Sequence, residues 1–318
     1  MIMNEIMVSI CCLTYNHEKF IRDALDGFVN QKTSFKYEIL IHDDASTDGT
    51  VEIVKEYEKK YPDLIKPIYQ KENQYSKKIP ITARYQFSRA KGKYIALCEG
   101  DDYWCDENKL QSQFDILERN SDISLCVHDT ICKNYKTNLE KTIGIYKKNT
   151  ILDLRQYLVD YSKIEPKTLF QTSAYFFKKE GIVSLLDTEI PKFYAECPVG
   201  DIPLVLLLGL SGKIYYLNKI MSIYRSNVEG GWTESNKAVE ITKKMKISYE
   251  RFNKYSDYNY QKEINYFIKS LDFDINLKEG QYKEIMQKDY LPYLNKQRLK
   301  TKLYILIKAY FPVILKNK

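Results

Sequence analysis

The strongest constraint on the fold of this chain is a pattern repeated three times before residue 103. A short apolar run of buried-strand character ends, each time, in a cluster of polar side chains. Residues 8–13 (VSICCL) run into Thr14, Tyr15 and Asn16; residues 37–41 (YEILI) run into Asp43 and Asp44; residues 93–98 (KYIALC) run into Glu99, Gly100, Asp101 and Asp102. Apolar runs this short suit strands covered on both faces. Between them lie segments of helical period, with Phe20, Ile21, Ala24, Leu25 and Phe28 on one face and Val51, Val54, Tyr57 and Tyr61 on another. The polar residues 43–50 supply N-cap candidates for the second of these helices. Further strands are expected at 65–69, 123–128 and 168–177, and helices at 82–90 and 201–208. Alternating strands and helices imply an α/β fold, a mainly parallel sheet flanked by helices. Consecutive parallel strands put their carboxyl ends on one rim, where such sheets bind ligands. The three polar clusters therefore converge on one candidate site.

Each cluster also has a plainer reading, since Asp and Asn after a strand commonly cap a helix or shape a turn. The segment Glu99-Gly100-Asp101-Asp102-Tyr103-Trp104 goes beyond it. Carboxylates crowded at the end of a buried strand raise one another's pKa unless a cation intervenes. A hard ion such as Mn²⁺ or Mg²⁺ takes oxygen ligands, often one or two carboxylates plus phosphate oxygens. Held here, it would bridge the chain to a diphosphate and steady charge on a departing nucleotide. The matching acids at Asp43 and Asp44 favour this chemistry. No Gly-x-Gly-x-x-Gly follows a strand, which disfavours a dehydrogenase.

The chain of 318 residues carries 49 Lys and Arg against 42 Asp and Glu, a net charge of +7. That excess suits acidic ligands, anionic lipid or nucleic acid without choosing among them, and the Lys-rich helices after Ser235 read as solvated faces rather than a nucleic-acid site. Seven Cys occur without a Cys-x-x-Cys pair, alongside three His, so a structural zinc site is not expected. Cys11, Cys98 and Cys126 lie in apolar runs and act as small hydrophobes. The first residues lack signal-peptide character, and no apolar run is long enough to span a bilayer. A cytoplasmic protein, peripheral on the inner face of the membrane, is expected.

The stretches VSICCLTYNHEKFIRDALDGFVNQ, YEILIHDDASTDGT and KGKYIALCEGDDYW, in that order, resemble the family-two inverting glycosyltransferases of bacterial surface polysaccharide synthesis. GDIPLVLLLGLSGKIYYLNKIMSIYR resembles their acceptor-side half. The resemblance implies the GT-A fold, that of nucleotide-diphospho-sugar transferases; the pattern turns to Lys- and Tyr-rich helical segments after Trp232, so that fold is expected over residues 1–234, with a helical, basic region at 235–318. It implies transfer of a sugar from a UDP-linked donor to a saccharide or lipid-linked acceptor. Thr14, Tyr15, Asn16, Asp44, Arg84, Asp101 and Arg225 would bind the nucleotide-sugar, with Asp44 meeting the base and Asp101 the ribose. Asp102 would ligate Mn²⁺ or Mg²⁺. Asp201 would be the catalytic base, with Glu196 as runner-up; as a plain helix cap, Asp201 would still sit at the pocket rim.

Glu99 stands where the family usually has Asp, and Ser226-Asn227 stand where it commonly has His. Trp104 and Trp232 fit core packing better than sugar stacking, and His17, His42 and His128 read as structural. Two alternatives are a sugar nucleotidyltransferase, which usually carries a Gly-rich basic loop where this chain has residues 14–18, and a catalytically inactive sugar-nucleotide-binding subunit. At the far end, Lys and Arg side chains between 296 and 318 interleave with Leu299, Leu303, Tyr304, Ile305, Ile307 and Tyr310. This segment either meets an anionic membrane surface or packs its apolar face on the rest of the protein.

Overall fold

A computed structural model describes residues 5–162, 169–186, 189–228 and 238–310. The first part runs β1 (Ile6–Thr14), α1 (Ile21–Val29), β2 (Lys36–Asp43), α2 (Thr50–Lys60), β3 (Ile65–Tyr69), β4 (Tyr94–Leu97), β5 (Tyr103–Trp104) and α3 (Lys109–Arg119). There follow β6 (Ile123–Asn134), β7 (Glu140–Thr142), β8 (Thr150–Leu152), α4 (Leu154–Tyr161), β9 (Phe176–Lys178), α5 (Lys192–Ala195), α6 (Asp201–Ser211) and β10 (Lys213–Ser226). Five helices close the described chain: α7 (Ala238–Tyr255), α8 (Gln261–Lys278), α9 (Tyr282–Ile285), α10 (Leu291–Leu294) and α11 (Leu299–Tyr310).

One sheet carries the order β3-β2-β1-β4-β9-β6-β10-β5, with β7 on β6 and β8 on β10. The long ladders, β1 with β2 and β4, β2 with β3, and β6 with β10, are parallel. Side chains alternate across each strand and sort into two cores. Ile10, Cys12, Ile41, Ala96 and Cys98 face α1, α2 and α3, whereas Cys11, Leu40, Ile95 and Leu97 share a core with α4, α6, α7 and α8. Period-2 alternation on strands buried on both sides explains why these runs read as continuously apolar.

Three elements depart from expectation. The segment expected as a helix at 82–90 is a wide π turn (Thr82–Gln86) followed by a 3-10 turn (Phe87–Arg89). The widening brings the Gln86 amide to the carbonyls of Cys12 and Leu40, and Arg89 to those of Ile41 and Lys66. The strand expected at 168–177 is confined to Phe176–Lys178, and residues 163–168 lie outside the described residues. Just before it, the carbonyls of Ser173 and Ala174 accept from Trp104 and Gln113 side chains instead of a ladder. This short strand also runs antiparallel to β4 and β6, so the sheet is mainly rather than wholly parallel. The expected strand at 123–128 continues to Asn134 because β10 pairs with it along that length.

Beyond residue 238, Tyr249, Phe252, Ile264, Phe267 and Leu271 join the core on the α6 face of the sheet. A smaller cluster of Phe273, Ile285, Tyr293, Leu294 and Ile305 ties α8 to the last helices. No helix among the described residues is long and apolar enough to cross a membrane.

Candidate active site

The rim forms where β1, β2 and β4 end. Thr14 is fully buried; its carbonyl accepts the Asp44 N–H at 2.9 Å, and its hydroxyl lies 3.2 Å from His17 Nδ1. Asn16 adopts φ +54° and staples two loops: its N–H donates to Ser46 Oγ at 2.9 Å and its Oδ1 accepts the Thr47 N–H at 2.8 Å. Asn tolerates the left-handed region better than most residues. Tyr15, between them, is exposed.

At the end of β2, Asp43 is buried, with Oδ2 accepting the Ser46 N–H and Oδ1 without a hydrogen-bond partner among the described residues. Asp44 accepts the backbone N–H groups of Gln74 and Tyr75 at 2.7 and 3.1 Å. Its carboxylate therefore anchors the loop after β3, which walls this end of the rim. His42 is buried beneath, 3.6 Å from Asp44 and tilted against Tyr85 at 5.0 Å between ring centroids. Burial holds its pKa below the ordinary histidine value, against the pull of Asp44. Arg84 projects exposed from the π turn beside Tyr85.

The acidic turn after β4 is pinned by the Gly100 N–H donating to Leu13 O and the Asp102 N–H to Glu99 O, at 2.9 and 3.1 Å. A Cβ on Gly100 would meet Thr14 Oγ1 at 2.7 Å, so only glycine lets this turn pack on the β1 end. Asp101 stays partly exposed, 3.9 Å from His17 Nε2. Asp102 is 1% exposed, and its Oδ1 accepts the Arg225 N–H at 2.9 Å. The Arg225 guanidinium is spent on the protein: it donates to Asp101 O at 2.8 Å and Tyr135 Oη at 2.9 Å, pairs with Asp23, and lies 4.4 Å from the Tyr103 ring centroid. Arg225 thus ties β10 to the acidic turn.

Asp201 opens α6 as its first residue, with Gly200 at the cap position and no side-chain cap. Its carboxyl is pushed above the aspartate range by burial, with the N–H groups of Ile202 and its own residue pulling the other way. Glu99 is raised to about 8, first by burial and then by Asp101 and Asp201. Asp102 is likewise raised, by burial first and then by Asp101 and Glu99. Glu99 therefore senses the carboxylates of both the acidic turn and the α6 start. Glu196 lies outside this group, half-exposed and paired with Arg251.

Trp104 is core, its indole N–H donating to Ser173 O at 2.9 Å, and Trp232 lies outside the described residues. His42 and His128 are buried, as a structural role requires, but His17 stands on the rim between Thr14 and Asp101. Its spacing from Thr14 resembles an ordinary turn, so nothing local in the sequence marked it out.

Among the described residues no group of three or more His, Cys, Asp or Glu is arranged to hold a metal ion. The donor chemistry nevertheless fits a hard cation, because Glu99 and Asp102 are raised first by burial and then by neighbouring carboxylates, and such an ion would offset both. A 280 Å³ cavity lined by Lys93, Lys178 and Val183 lies at the far ends of the strands, and one of 380 Å³ lies between α1 and residues 103–107; neither is the rim.

An uncharacterized protein of Mycobacterium tuberculosis is 31% identical over 233 residues, which are 71% of this chain and 60% of that protein. This chain thus spans about three fifths of the length of that relative. Staphylococcus aureus TarS (residues 1–349), solved in complex with UDP-GlcNAc, aligns over 96% of this chain and 88% of its own with TM-score 0.61 and 13% identity. A Pyrobaculum calidifontis mannosyltransferase, solved with GDP-Man and Mn²⁺, aligns over 97% and 88% with TM-score 0.52 and 13% identity. At such identities these two likenesses speak for the GT-A fold. The model of glycosyl transferase family 2 matches residues 9–176, which hold β1 through β4, the acidic turn and the strands that flank it, and the chain belongs to that family.

Proposed function

We propose that this protein moves a sugar from a nucleotide-diphospho-sugar, UDP-linked, to a hydroxyl of a saccharide or lipid-linked acceptor, with inversion at the anomeric carbon. The observation that carries the reading is the rim itself: Thr14, Asn16, Asp44 and the acidic turn 99–102 gather at the ends of β1, β2 and β4 inside the residues that the family model matches, with Asp201 within Coulomb range of Glu99. That proximity joins the acidic turn, on the donor side, to the helix that opens the acceptor side. The structures solved with UDP-GlcNAc and with GDP-Man and Mn²⁺ support a nucleotide-sugar as donor and a divalent ion as cofactor.

In this reading Thr14, Tyr15, Asn16 and the Asp44-anchored loop form the nucleotide end, with Arg84 beside it and Asp101 toward the ribose. Arg225 serves through Asp101 and Asp102, whose turn it fixes. Asp102 would hold Mn²⁺ or Mg²⁺ with the diphosphate oxygens, and the ion, when bound, neutralises charge on the leaving nucleotide. Asp201 takes the acceptor proton as the hydroxyl attacks from the face opposite the leaving group. Its raised pKa makes it a stronger base than an ordinary aspartate. Glu99, whose carboxyl is pushed up to about 8 by burial and then by Asp101 and Asp201, stands within Coulomb range of both.

The test is a panel of UDP- and GDP-sugars scored for Mn²⁺-dependent hydrolysis and for binding by titration calorimetry. Turnover of at least one donor, dependent on Asp201, is expected. Tight binding without turnover in the presence of acceptor would mark an inactive sugar-nucleotide-binding subunit. Transfer of a nucleotidyl group would mark a nucleotidyltransferase.

A further inference from the structure

The net charge of this protein has a location. The last acidic residue is Asp289, and seven of the 49 Lys and Arg follow it. Residues 1–289 therefore carry as many basic as acidic side chains, 42 of each, and the whole excess of +7 lies in the final stretch. Five of those seven fall between Lys296 and Lys308, on α11 and its approach.

Helix α11 has two apolar faces. Ile305 and Ala309 are buried on the side that meets α9, where the Tyr304 ring also stands edge-on to Tyr282 at 5.8 Å. The other face is uncovered: Leu299 is 81% exposed, Leu303 56%, Leu306 38% and Tyr310 62%. Steps of four, three and four residues confine these side chains to an arc of about 60° on an ideal helix. On the same wheel Lys300 and Lys302 emerge on opposite sides of the stripe, each roughly 70–90° from its centre. No acidic residue lies in the helix to compensate them.

We infer that this face of α11 docks on an anionic lipid surface. The leucines and Tyr310 enter the headgroup boundary while the lysine heads extend sideways to the lipid charges. Charge decides the occupant. A second copy pairing through the same stripe would bring two wholly basic flanks together, whereas an anionic bilayer complements them. The described helix, 12 residues from Leu299 to Tyr310, is too short to cross a bilayer, and we place it in the surface plane. The inference is independent of the proposed reaction, since none of these residues lies on the rim.

The 318-residue protein is floated with vesicles of phosphatidylcholine, with and without phosphatidylglycerol. Leu303→Glu with Leu306→Glu forms one variant, and Lys300→Glu with Lys302→Glu the other. Wild type is expected to bind the anionic vesicles at least about tenfold better than the neutral ones, less so as salt rises. Both variants should lose about tenfold or more of that binding, with the melting temperature and nucleotide binding of wild type. Equal flotation of wild type and variants, or no preference for anionic vesicles, overturns the inference. So does a lipid-free dimer that the leucine variant abolishes, because the stripe would then belong to a second copy.

Discussion

Asp102 and Asp201 are both raised above ordinary aspartates, yet they make opposite predictions. Asp102 is buried and accepts the Arg225 N–H. Asparagine keeps an acceptor there, so the Asp102→Asn protein should fold. An acid whose folded pKa is raised binds more protons folded than unfolded, and its ionisation weakens the fold as pH rises above the unfolded value. Removing the charge should therefore leave the metal-free melting temperature at pH 8 equal to or above wild type. Turnover should fall by orders of magnitude, and the melting-temperature gain on adding Mn²⁺ should disappear. Near-normal turnover at limiting Mn²⁺ would remove Asp102 from the metal role.

Asp201→Asn should lower transfer by ~10²–10⁴-fold with the donor Kd unchanged. In wild type, kcat/KM should decline on the acid side from a pH above the ordinary aspartate range, because the base must be ionised and burial opposes that. The residual activity of the variant should lack that limb. An equal loss of donor affinity would make Asp201 a structural residue.

At the scale of elements, the segment that delivers Asp201 is braced from α7. Ser248 donates to Phe193 O, Arg251 pairs with Glu196, and the Phe193 ring packs on Phe252 and Tyr255 at 5.2 and 4.9 Å. Residues 192–200 thus depend on a helix some fifty positions later. Arg251→Ala is expected to lower kcat several-fold while leaving donor binding intact, since the proposed donor end rests on β1, β2 and β4. Phe252→Ala opens a fully buried site and should cost ~3–5 kcal/mol of stability, read by urea unfolding. If Arg251→Ala weakens donor binding as much as kcat, the brace is not specific to the acceptor side.

The helical periods of α1 and α2 and the apolar runs of β1, β2 and β4 were legible because local burial writes a local pattern. The helix at 82–90 is legible in the sequence, but its π and 3-10 windings and the short extent of the strand near 176 are not, because their partners, Cys12, Leu40, Trp104 and Gln113, lie far along the chain.

For the whole molecule, stability responds to pH through groups the fold buries against their preference. Lys109 is fully buried, with Nζ donating to Gln113 Oε1 at 2.7 Å and lying 4.0 Å from the Trp104 ring centroid. Burial pulls its pKa down to about 7. Between the unfolded value near 10.5 and 7, the unfolded chain holds a proton that the folded one has released, so stability falls as pH drops through that window. Lys109→Met should stabilise the protein, most clearly at or below pH 7, as measured by chemical unfolding across pH. A loss of stability at every pH would show that the Lys109–Gln113 bond outweighs burial.

The sequence alone determined that this chain builds an α/β sheet with polar clusters at the ends of three neighbouring strands, two of them acidic, because strand burial and strand-end polarity are properties of consecutive residues. Only the tertiary structure decided that Asp44 holds a loop, that Arg225 locks the acidic turn, that His17 joins the rim and that Asp201 comes within Coulomb range of Glu99. Those outcomes depend on which partners long-range packing brings within hydrogen-bond or Coulomb range, and no local spacing encodes that.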